Sequence, residues 1–189
     1  QSPDDAFLVY RQLPETILSY VDSDPLWGHL AFERHDQLEL DVSTKLDSFK
    51  KGILSEQELL ETLNTFSRLD KDSERFMSQW VSAKPSSGMA LYARALYYHH
   101  YSWLLRGSTM WGNVTDKQRE GFFKYRDLAK KDLVAALEIQ PDFCPLYSLQ
   151  IQVFKGMKRS KNRISDAFED GLKYCSNSRL LHSSYLSTL

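Results

Sequence analysis

The chain has 189 residues and a formal net charge of −1, so its surface as a whole has no strong attraction for nucleic acid or anionic lipid, and only local patches remain open to them. With 8 glycines, 6 prolines and no strictly alternating apolar and polar runs between turn signals, an all-β fold is disfavoured. The length suits one sizeable domain or two small ones; the lack of a Gly/Ser/Pro-rich linker favours one continuous domain over 1–189, with N-terminal helices in 1–85 and a second half in 86–189. The first residue is Gln1, which points to a processed chain or a fragment, and no signal segment remains to decide between them.

Taken in order, 4–21 carries Phe7, Leu8, Leu13, Ile17, Leu18 and Val21, with Pro14 placed to open a short helix. Ser23-Asp24-Pro25 reads as a turn. Leu38, Val42, Leu46 and Phe49 predict a helix over 35–51, closed by Gly52 and complemented by Lys50 and Lys51 at its carboxyl end. Ser55 and Glu58 fit a capping box, flanked by Leu54 and Leu59 as a hydrophobic staple, and Leu59, Leu63 and Phe66 continue one stripe. Phe76, Met77 and Trp80 mark a helix over 73–83, with Pro85 beyond it.

Ser86 or Ser87 then caps the stretch 89–106, apolar on two faces and so expected to be the central core helix. Arg94, His99 and His100 interrupt it too often for a membrane span. After an irregular link through Trp111 and Asn113, Thr115 and Gln118 form a second capping box. The helix they start carries Phe122, Tyr125, Ala129, Leu133 and Ala136 and stops before Pro141. A hairpin over 145–155 and 165–174 and a last helix over 178–189 complete an all-α chain of seven or eight helices. Cys144 and Cys175, at opposite ends of that hairpin, permit one disulfide in an exported protein; two buried thiols fit a cytoplasmic one.

The spacing of Ala129, Leu133, Ala136 and Pro141, followed by Tyr147 and Phe154, resembles a tetratricopeptide repeat, although the usual Trp-x-x-Leu-Gly pattern is missing. The resemblance implies a degenerate stack of helical hairpins. A second resemblance spans about 32–189. Trp80, Pro85-Ser86, Ala90, Ala93, the run Trp103-Leu104-Leu105-Arg106-Gly107-Ser108, Ala129 to Ala136 and Cys144-Pro145 are similar in order to an uncharacterised family of bacterial proteins known as a domain of unknown function. It implies a helical fold and a bacterial origin, and no activity. This chain lacks the Trp-Gly-Gly tail segment of that family.

The chain contains no Gly-rich phosphate loop, nucleophile elbow or His-Glu-x-x-His pattern. The adjacent His99 and His100 diverge on a helix, and His29 and His35 are poorly spaced to chelate. His100, on the Met89 stripe, is expected to be a hydrogen-bonded core histidine. Glu56, Glu58 and Glu61 fit helix capping, and Cys144 has no histidine beside it. Arg106, followed by Gly107 and Ser108, can hold a carboxylate or phosphate, or tie down the next loop through carbonyls. Trp103 and Trp111 read as core and loop anchors beside it.

The run from Lys155 to Arg163 holds five basic residues and no acidic one, at an expected interhelical loop. Asn113-Val114-Thr115 is a sequon that matters only in a eukaryotic secretory pathway. Trp103, Arg106, Ser108, Trp111, Lys155, Lys158 and Arg159 are therefore the candidate partner-binding residues. No catalytic residue, metal ligand or cofactor is assigned. The expectation is a non-catalytic bacterial protein-interaction module, an immunity or adaptor protein that binds a toxin or effector and is periplasmic or exported, with the cytoplasm as alternative. The competing readings are a hydrolase-like enzyme with a pocket near Arg106, and a nucleic-acid binder through the basic run.

Overall fold

Nine α-helices and two short 3-10 turns, with no strand, make up the residues that the computed structural model describes: 24–69, 72–155, 157 and 160–189. The helix expected within 4–21 lies outside the described residues. The chain divides into two compact units, 1–85 and 86–189. None of the described helices is long and apolar enough to cross a membrane.

In the first unit, α1 (Pro25–Ala31) stands where the sequence reads as a turn. Asp24 is its N-cap, accepting from the N–H groups of Leu26 (3.1 Å) and Trp27 (3.4 Å), and Pro25 occupies the first helical position. An aspartate before a proline therefore starts a helix here, because the proline's missing N–H costs nothing in a first turn. The same carboxylate accepts from the Thr65 hydroxyl and lies 3.3 Å from an Arg68 nitrogen, tying this cap to the 3-10 turn Asn64–Ser67.

Helix α2 (His35–Lys50) buries Leu38, Val42 and Leu46, and Gly52 follows it at φ +69°. Ser55 and Glu58 close the expected capping box on α3 (Glu56–Leu63). Helix α4 (Ser73–Ala83) buries Phe76, Met77 and Trp80. The Trp80 ring lies 5.4 Å from Phe66, and its Nε1 donates to Glu39 at 2.8 Å. The single polar atom of a buried indole is thus satisfied.

The second unit is built on an antiparallel pair, α5 (Gly88–Arg106) and α6 (Asp116–Ile139). Its register can be read from its contacts: Arg94 with Asp132, Tyr98 and Tyr101 with Tyr125, Trp103 with Phe122, and Gly121 beneath Leu105. Ser87 supplies the α5 cap, its hydroxyl accepting from the Ala90 N–H at 3.0 Å. Thr115 and Gln118 form the second capping box, on α6. Arg94 Nε and Nη2 donate in parallel to the two oxygens of the buried Asp132, at 2.7 and 2.8 Å. Such a fork-to-fork pair fixes geometry as well as charge.

Helix α7 (Cys144–Phe154), α8 (Ser160–Cys175) and α9 (Arg179–Leu186) close the unit around Tyr147, Ile151, Phe154, Ile164, Ala167 and Leu181. Gly171 allows the close approach of α7 to α8, since a Cβ there would sit 3.1 Å from Tyr147 Cβ. Helix α8 starts at residue 160, not near 165 as the sequence suggests, so Lys161 and Arg163 lie in its first turn instead of in a loop. Cations at an amino end are unfavourable. The helix begins there because Ile164 belongs to the same buried stripe as Ala167, Gly171 and Cys175.

Cys144 and Cys175 are joined as a disulfide with their Cα atoms 5.7 Å apart, closing the α7–α8 hairpin at its open end. With the two cysteines 31 positions apart in sequence, loss of the bond frees a loop worth about 3–4 kcal/mol of closure entropy. The Cys144→Ser/Cys175→Ser variant should unfold at a clearly lower urea concentration than the oxidised chain. Identical midpoints would contradict this role.

Candidate functional site

The last turn of α5 leaves the core. Leu104 and Trp103 there are 54% and 40% exposed, and across the link Met110 and Trp111 are 82% and 44% exposed. The buried character expected of this helix therefore holds for 88–99 but not for its carboxyl end. Gly107 terminates it at φ +75° and ψ −176°, a conformation open essentially to glycine alone, and its N–H reaches the carbonyls of Trp103 and Leu104. Arg106 Nη1 donates to the Gly107 carbonyl at 2.9 Å, and Gln118 Nε2 to the Arg106 carbonyl at 3.2 Å. The end of α5 is thus tied to the first turn of α6.

This pinning brings Trp103 and Trp111 to one face, both edge-on to the buried Phe122, at 5.1 and 5.9 Å between ring centroids. Three guanidiniums surround them. Arg106 lies over Trp103 at 5.4 Å and over Trp111 at 5.7 Å; Arg119 lies over Trp111 at 5.7 Å; Arg126 lies over Trp103 at 5.4 Å and over Phe122 at 4.8 Å. All are within range of the attraction between a cation and an aromatic quadrupole. Arg119 also donates to the Trp111 carbonyl at 3.3 Å.

Arg126 was not among the residues singled out from sequence. It is fully buried. The two N–H groups of one nitrogen, Nη2, are shared among the carbonyls of Gln152, Val153 and Lys155 at the carboxyl end of α7, while Nε and Nη1 have no hydrogen-bond partner. Burial pulls its pKa down to about 10, which leaves it a cation at neutral pH. The available signal was positional: Arg126 lies on the stripe of Phe122, Ala129 and Leu133.

Of the residues expected to meet a partner, Trp103, Arg106 and Trp111 come together. Ser108 is exposed in the link beside them. Lys155 turns its ammonium to the carboxyl end of α9, donating to the Ser187 carbonyl at 2.7 Å. Lys158 and Arg159 lie outside the described residues. A cleft of about 320 Å³ is lined by Lys155, Ser160, Lys161 and Tyr185, and in the first unit another of about 450 Å³ by Asp24, Asp41, Lys45 and Glu61. Neither includes Arg106.

The core histidine is His99, not His100. His99 is buried with Nδ1 lacking a hydrogen-bond partner, whereas His100 is half-buried. The apolar residues of α5 run almost all round, so spacing alone did not fix which of two neighbours points inward. Burial first, then the charge of Arg126 and the neighbouring His100, lower the His99 pKa to about 3. A histidine held neutral in the fold but titrating near 6.5 when unfolded withdraws stability as pH falls below that value, down to the folded pKa. Between pH 7 and pH 5 this amounts to about 2 kcal/mol. Urea unfolding at the two pH values should show that extra loss in the native chain and not in His99→Gln. Equal losses would place the pH sensitivity elsewhere.

No family model matches the chain, and neither does any curated protein or solved structure.

Proposed function

We propose that this chain is a non-catalytic protein-interaction module, and that its docking surface is the face carrying Trp103, Leu104, Met110 and Trp111. The observation that carries this reading is the exposure of four large apolar side chains, Trp103 and Leu104 in the last turn of α5 and Met110 and Trp111 in the link after it, with α6 bonded to the Arg106 and Trp111 carbonyls. Exposed aromatic residues interleaved with arginine are the composition of interface centres, where a few such side chains supply most of the binding energy. Preorganisation of the link lowers the ordering cost of association.

The narrower form of the proposal is an exported bacterial adaptor or immunity protein that binds a toxin or effector. The Cys144–Cys175 bond favours an oxidising compartment. We read α5–α6 and α7–α8 as successive hairpins of a tetratricopeptide-like stack. The buried Ala129, Leu133 and Ala136, with Pro141 just beyond the helix end, support that reading.

The test is capture of a partner from the native organism by the tagged chain, quantified against Trp103→Ala and Trp111→Ala. Each variant is expected to weaken binding by on the order of tenfold or more while leaving the helical signal intact. Retention of full affinity by both would place the docking surface elsewhere.

A further inference from the structure

Resting on that reading of the face as a docking surface, we propose that its occupant is an acidic polypeptide segment, a run of carboxylates with apolar side chains among them. The argument is one of charge complementarity. Residues 103–126 contain five basic residues and two acidic ones; of the five, Arg106 and Arg119 stand at the two indoles and Arg126 is buried behind them. Of the two acids, Asp116 faces Arg119 at 3.7 Å and is itself fully exposed, and Glu120 is exposed. Arg106 makes no ion pair among the described residues, and neither does the buried Arg126 behind it.

Two cations thus share one indole without a carboxylate to balance them. A guanidinium edge binds a carboxylate through paired N–H donors, and Leu104 and Met110 are the most exposed apolar side chains of the stretch 103–111. A single-stranded nucleic acid would use the indoles as stacking platforms, which requires bare ring faces. Here each indole already carries two guanidiniums. What the face offers outward is therefore hydrogen-bond donors beside partly exposed aromatic and aliphatic surface, the complement of glutamate or aspartate next to leucine or phenylalanine.

The experiment titrates the full chain, followed by tryptophan fluorescence and calorimetry, with a synthetic peptide of alternating glutamates and leucines and with its glutamine twin. The glutamate peptide is expected to bind on the order of tenfold more tightly than the twin, and to weaken as salt rises from about 50 to about 250 mM. Arg106→Gln/Arg119→Gln, checked for native helical content, should erase the difference. The peptide pair needs no variant, so the proposal stays open to refutation even if that double substitution fails to fold. Equal binding of the two peptides, no saturable binding of either, tighter binding of a single-stranded oligonucleotide, or retention on vesicles of anionic lipid would each overturn it. Partner capture that depends on Trp111 while the two peptides bind alike would remove the acidic occupant and leave the interaction reading standing.

Discussion

Arg126 is the point at which three helices of the second unit meet. Rooted in α6, it gives one nitrogen to three carbonyls at the carboxyl end of α7 and lays its plane near Trp103 of α5 and Phe122 of its own helix. Removing a guanidinium from water costs several kcal/mol even after relaxation. The compensation comes from the negative end of a helix dipole, from charge-assisted hydrogen bonds and from aromatic faces, instead of from a carboxylate. Burial keeps His99 neutral, and the nearby charge of Arg126 adds to that effect.

From that anchor the geometry of the exposed face follows. Trp103 cannot sink into the core, because Phe122 and Arg126 already occupy the space under it. Gly107 ends α5 abruptly in a conformation other residues resist, and Gln118 holds the turn from the far side. Trp111 is then delivered beside Trp103 with Arg106 bridging the two rings. The result is an aromatic and cationic surface on a fixed frame, which is what a docking site needs if its affinity is not to be spent on ordering a loop.

The parts of this architecture that depend on neighbouring residues were readable in the sequence. The boxes at Ser55–Glu58 and Thr115–Gln118 formed because each satisfies its own helix end within four residues. Asp24-Pro25 carried a helix start that looked like a turn, because a short following helix leaves little periodicity to recognise. The start of α8 was hidden by Lys161 and Arg163, whose dipole cost is outweighed by the packing of Ile164. Of the exposed face, Trp103, Arg106 and Trp111 were legible as residue types. Their convergence was not, since it depends on the antiparallel register of α5 on α6, and the buried charge of Arg126 depends on where α7 ends.

The four tryptophans offer a direct measurement. Trp27 and Trp80 are fully buried in the first unit, while Trp103 and Trp111 lie on the face. In an amide-proton NMR spectrum of the full chain the four indole N–H signals can be assigned by single substitutions and followed as the glutamate–leucine peptide is added. Displacement of the Trp103 and Trp111 signals, with those of Trp27 and Trp80 unmoved, is the predicted result. Movement of the Trp27 or Trp80 signals alone, or of none of the four, would contradict the assignment of this face as the docking surface for an acidic partner.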